Sequence, residues 1–177
     1  MKMLKSLAGG IIATLLLFLI VGLFLPSNYE VSSNLSIPAP TNEVFEQINT
    51  LTNWQHWAFE DSSAMTNLRF EGPAEGVGAL YTWHDEYSTG RMEITASVPN
   101  QQVSLNLISN YGEQETELIF KFINTDGGTT VTWVQKGDVG YDIRARFFIA
   151  IGGLGSTLGK QNLRALERLK THLSTKN

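Results

Sequence analysis

A chain of 177 residues with 42% hydrophobic and 17% charged side chains suits one ordinary domain plus a short additional element. The net charge of −4, with 13 basic against 17 acidic residues, excludes the basic face that a nucleic-acid partner would need. The absence of cysteine excludes disulfides, thiol nucleophiles and thiolate-bound metals.

The first element is an apolar run. No charged residue lies between Ser6 and Tyr29, whereas Lys2 and Lys5 precede it. The 19 residues from Leu7 to Leu25 would rise close to the ~30 Å of a hydrocarbon layer as a helix. The run ends in Leu-Phe-Leu-Pro-Ser rather than at a small-residue cleavage site, which favours an uncleaved anchor over a signal peptide. The expectation is therefore a single-pass membrane protein: residues 1–5 a cytoplasmic tip, residues 6–26 the transmembrane anchor, and residues 28–177 a domain on the far (periplasmic or extracellular) side.

From Tyr29 to Ile37, Val31, Leu35 and Ile37 alternate with polar residues, which predicts a strand. Pro38-Ala39-Pro40 ends it, and Thr41 stands where an N-cap would open a helix through Val44, Phe45 and Ile48. A second short helix would hold Leu51, Trp54 and Trp57, with Asn53 at its start. Strand-like alternation then recurs at Leu68–Phe70, Ala79–Trp83, Arg91–Val98, Val103–Leu107, Leu118–Phe122 and Thr129–Val134. The short turns between these runs imply an antiparallel meander. A short apolar helix over Ile143–Ile151 follows, and after Gly152-Gly153 a long one capped by Ser156 or Thr157 runs to about Leu173. Its inward stripe is Leu158, Asn162, Ala165, Leu166, Leu169 and Leu173, while Lys160, Arg164, Arg168 and Lys170 face water.

One strand, two short helices, a run of antiparallel strands and a long terminal helix make an α+β fold in which the helix covers the apolar face of a curved sheet. The stretch from Ser36 to Phe45, followed by Asn53-Trp-Gln-His-Trp57, resembles the opening of the START-like (SRPBCC) helix-grip superfamily. Gly72-Pro-Ala-Glu-Gly-Val-Gly-Ala79 with Tyr81 and Trp83, and the closing run from Leu158 to Lys170, are similar to its polyketide cyclase/dehydrase branch. The resemblance spans about Tyr29 to Leu173 and implies a cavity for apolar small molecules, without implying one activity.

The cavity wall is expected to draw on Trp54, Trp57, Tyr81, Trp83, Met92, Phe120, Trp133, Phe147 and Ile151, with Asn162 as a polar member; each also suits a filled core. His56, between two tryptophans and near Glu60 and Asp61, is the candidate polar group at the cavity. The Gly152–Gly159 cluster fits neither a phosphate loop nor a dinucleotide fingerprint, since Leu154 and Leu158 occupy required glycine positions. His56, His84 and His172 have no metal-ligand spacing, so no metal, cofactor or catalytic residue is assigned. His172 suits the C-terminal end of the long helix, and His84-Asp85-Glu86 a solvated hairpin tip. The leading expectation is membrane-tethered binding of a lipid or other hydrophobic small molecule. The alternatives are an enzyme of the cyclase/dehydrase or hydrolase kind, which needs an acid–base group in the cavity, and a membrane-anchored interaction module with a packed core and no ligand.

Overall fold

A computed structural model describes residues 2–59, 68–84, 89–109 and 114–175. Helix α1 (Lys2–Phe24) leads into strand β1 (Asn28–Ile37), helix α2 (Thr41–Asn49) and a 3-10 helix (Leu51–His56). Strands β2 (Arg69–Glu71), β3 (Leu80–His84), β4 (Thr89–Val98), β5 (Gln102–Ser109), β6 (Gln114–Thr125) and β7 (Gly128–Asp138) follow, then helices α3 (Ile143–Ala150) and α4 (Gly153–Ser174).

The strands form one antiparallel sheet in the order β1-β7-β6-β5-β4-β3-β2. The terminal strand β7 therefore pairs with β1, while the intervening strands meander outward. Alternation sorts the side chains: Val31, Trp133, Phe120, Val103, Ile94 and Tyr81 lie on the concave face and are buried, whereas Glu30, Lys136 and Glu117 lie on the convex face. A register shift between Ile94 and Ala96 adds to the curvature.

Helix α4 lies along β1. An added Cβ on Gly159 would sit 3.6 Å from Val31, an ordinary contact, and Ser33 Oγ donates to the Gly159 carbonyl at 3.2 Å. Further along, Ala165, Leu166 and Leu169 are buried against the core. Helix α2 and the 3-10 helix close that end of the sheet with Val44, Ile48, Leu51, Trp54 and Trp57, all at most 2% exposed. Arg168 fastens this plug: its Nε donates to the Trp57 carbonyl at 2.8 Å and its Nη2 to the Ala58 carbonyl at 3.1 Å. Arg168, expected to face water, thus has a structural task that helical spacing did not reveal.

Three caps differ from expectation. Pro40 precedes α2, and Thr41 is its first residue; the Thr41 hydroxyl meets Thr129 Oγ1 at 3.0 Å instead of capping the helix. Helix α4 starts at Gly153, earlier than Ser156, because Gly152 turns the chain with φ +73, a conformation glycine adopts without Cβ strain. Asp142, not singled out from the sequence, caps α3 by accepting from the backbone N–H of Arg144 and Ala145.

The single-pass placement is overturned. Among the described residues no helix is long and apolar enough to cross a membrane. The end of α1 is also engaged by protein: Phe18 stacks on Phe147 with ring centroids 4.2 Å apart, and Arg146 Nη1 donates to the Leu23 and Leu25 carbonyls. Gly22 is buried where Ile143 and Phe147 close on it. Elsewhere on α1 the apolar side chains, Leu15, Leu16 and Leu19 among them, are exposed.

Candidate functional site

The inward stripe of α4 changes character along its length. Leu166 and Leu169 are fully buried, whereas Leu154 and Leu158, toward α3, are only half-buried. The sheet repeats the contrast. Phe120 and Val103 are fully buried near the plug, while Trp83, Leu107, Gln135 and Tyr29, at the end near α3, are half-buried on the same concave face. Tyr81, Met92 and Thr116, in register with Leu107, are buried, so half-burial at the α3 end is confined to particular side chains.

The residues expected to line a cavity fall into separate groups. Tyr81, Met92 and Trp83 lie together on the outer strands β3 and β4, with Tyr81 and Trp83 ring centroids 6.1 Å apart and Tyr81 Oη donating to Met92 Sδ at 3.6 Å. Trp133 follows on β7, its ring tilted against Phe120 with centroids 4.7 Å apart. Phe147 is half-buried on α3, and Asn162 is buried on α4. Trp54, Trp57 and Phe120 form one packed aromatic cluster at the plug. The N–H groups of both tryptophans are engaged there, Trp54 with the Ile48 carbonyl at 2.9 Å and Trp57 with the Gln47 carbonyl at 3.3 Å. Ile151, at 78% exposed, lies on the surface as the residue that follows the last turn of α3.

His56 does not reach the interior. Its ring is exposed at the end of the 3-10 helix and stacks on His172, with centroids 5.1 Å apart. The two histidines border a surface cleft of about 450 Å³ with Arg164, Glu167, Arg168 and Thr171. Chain spacing cannot show this pairing, since 116 residues separate the two rings. Glu60, Asp61, Asp85, Glu86 and Tyr111 lie outside the described residues. Among the described residues no group of three or more His, Asp or Glu is placed to hold a metal. A shallow depression of about 840 Å³ spans mostly convex-face residues such as Glu30, Glu117 and Lys136.

Polar groups on the concave face are few. Tyr29 Oη and Thr116 Oγ1 are 3.1 Å apart. Burial holds the Tyr81 phenol above its ordinary value of 10.0, because the phenolate would lose its hydration. The neutral form is then favoured in the folded state, and the unfolded chain gives up this proton first as pH rises. The stabilisation is complete below pH 10 and is lost as pH climbs from there toward the folded value. Tyr81→Phe should therefore flatten the alkaline loss of stability by up to ~1.4 kcal/mol per pH unit above about pH 10. Urea titrations at stepped pH measure the slope, with phenolate absorbance showing Tyr81 silent until unfolding.

No family model matches the chain, and no curated protein matches it. Solved structures do. The Staphylococcus aureus protein of unknown function SA2116 aligns with a TM-score of 0.66 at 14% identity, over 84% of this chain and 95% of its own. Protein MLL2253 from Mesorhizobium loti aligns with a TM-score of 0.57 at 16% identity, over 84% of this chain and 99% of its own. DynU16, from the dynemicin biosynthetic locus, aligns with a TM-score of 0.58 at 18% identity over 84% of this chain; the match spans only 48% of DynU16. At such identities the likeness is one of fold. The chain has an α+β helix-grip fold, with a seven-stranded antiparallel curved sheet and a long C-terminal helix.

Proposed function

We propose that this chain binds an apolar small molecule in the hollow between the N-terminal half of α4 and the outer concave face of the sheet. The supporting observation is the half-burial of large apolar side chains on both walls: Leu158 on α4, and Trp83 and Leu107 on the sheet. Leu166 and Phe120, on the same two faces, are fully covered. Covering the remaining apolar area is worth about 25 cal/mol per Å², and an apolar guest provides that cover. Tyr81, Trp83, Met92, Trp133, Phe147 and Asn162 are the proposed contacts. The plug residues Trp54, Trp57 and Phe120 support the floor without touching the guest.

The test uses the full-length chain with Nile red as probe. Leu107→Trp and Leu158→Trp each add bulk to the hollow, and each should weaken uptake at least fivefold while the circular dichroism spectrum is retained. Uptake unchanged in both variants would mean that the dye sits elsewhere, for example on the exposed side chains of α1, and would defeat the proposal.

A further inference from the structure

Two buried N–H groups, one on the concave face of the sheet and one on α4, have no acceptor among the described residues. Trp133 is 8% exposed, and its indole Nε1 makes no hydrogen bond. Asn162 is 4% exposed, and its amide Nδ2 makes none either. Leaving a buried donor unmet costs about 1–3 kcal/mol, so native proteins seldom do it. This chain meets the same need elsewhere, since the indoles of Trp54 and Trp57 both donate to backbone carbonyls.

The fold places the two donors on facing walls. Trp133 is paired in register with Ser33, and the Ser33 hydroxyl donates to the Gly159 carbonyl of α4. Asn162 stands three residues beyond Gly159, just under one turn or ~4.5 Å along the same helix. One donor thus comes from the sheet and one from the helix that grips it.

We propose that Trp133 Nε1–H and Asn162 Nδ2–H recognise a neutral acceptor oxygen, such as a ketone, ester or amide carbonyl, on the apolar guest. The assignment rests on the binding reading above and narrows it. Both groups donate, so the guest must accept. Neither group carries charge. The buried neighbours Val131 on β7, Phe120 on β6, and Ala165 and Leu166 on α4 are apolar, and Gln135, next on the same face of β7, is uncharged. The charged residues of the nearby strands, Glu30, Glu117, Lys121 and Lys136, alternate onto the opposite face. A carboxylate buried here would lack a counter-charge and be heavily penalised, so the site selects a carbonyl over an acid.

The experiment compares three probes of similar shape on the full-length chain: 2-acetylnaphthalene, 2-ethylnaphthalene and 2-naphthoate. The ketone should bind about five- to tenfold more tightly than the hydrocarbon, the worth of one or two hydrogen bonds, and more tightly than the carboxylate. In ¹⁵N-labelled protein the Trp133 indole N–H resonance should move downfield with the ketone and not with the hydrocarbon. Trp133→Phe and Asn162→Leu should each lower the ratio of ketone to hydrocarbon affinity. Equal binding of ketone and hydrocarbon, with a silent Trp133 resonance, would overturn the carbonyl assignment and leave apolar binding intact; a structural water would then be the donors' partner. Failure of all three probes to bind would remove the binding reading together with this one. The resonance shift is read on the unaltered chain, so a variant that misfolds does not blunt the test.

Discussion

Phe120→Ala should destabilise the protein by about 3–5 kcal/mol. Phe120 is fully buried at the centre of the sheet, with ring contacts to Trp54, Trp57 and Trp133 at centroid separations of 5.8, 6.5 and 4.7 Å. Removing it strips apolar area and leaves a void that three indoles cannot collapse into, since the N–H groups of Trp54 and Trp57 are fixed to α2 carbonyls. A domain of this size has roughly 5–15 kcal/mol in hand, so the loss is a large share of the total. Urea denaturation followed by tryptophan fluorescence should show a lower midpoint with an unchanged slope. A midpoint within experimental error of the parent would mean that the plug and the sheet do not share one core.

Gly128→Ala should cost about 2–4 kcal/mol, against under ~0.5 kcal/mol for Gly127→Ala one residue earlier. Gly128 has φ +131, and a Cβ there would meet the Ile37 carbonyl oxygen at 2.2 Å and the Pro38 Cα at 2.8 Å, both backbone atoms that cannot swing aside. Gly127 has open space at the same position. The corner where β1 ends and β7 begins is further tied by Thr129, whose hydroxyl donates to the Ala39 carbonyl at 2.9 Å. That hydroxyl then accepts from Thr41, 3.0 Å away. Thermal melts of the two variants measure the contrast. Equal melting temperatures would show that the β1–β7 corner is free to move.

These two positions show how differently residues announce themselves. Phe120 is legible in the sequence, because Leu118, Phe120 and Phe122 alternate with polar neighbours and only one face of a sheet can take them. Gly128 reads as an ordinary turn glycine beside Gly127. Only the approach of Ile37, 91 residues earlier in the chain, makes it irreplaceable by residues with a Cβ.

Local pattern determined the strands, the helices and their order, since period-2 and period-3.6 apolar spacing depends on near neighbours alone. It therefore carried the α+β class and the long helix gripping a curved sheet. It also placed Tyr81, Met92, Trp133 and Asn162 on the inward face. Tertiary structure decided which inward residues pack in the plug and which stay half-buried, because that depends on which elements cover each side chain. It sent His56 outward to His172, gave Arg168 two carbonyls to hold, and seated the end of α1 on α3. It also left the N–H groups of Trp133 and Asn162 without an acceptor. Contacts between residues a hundred positions apart leave no period in a sequence, and only the folded chain brings such partners together.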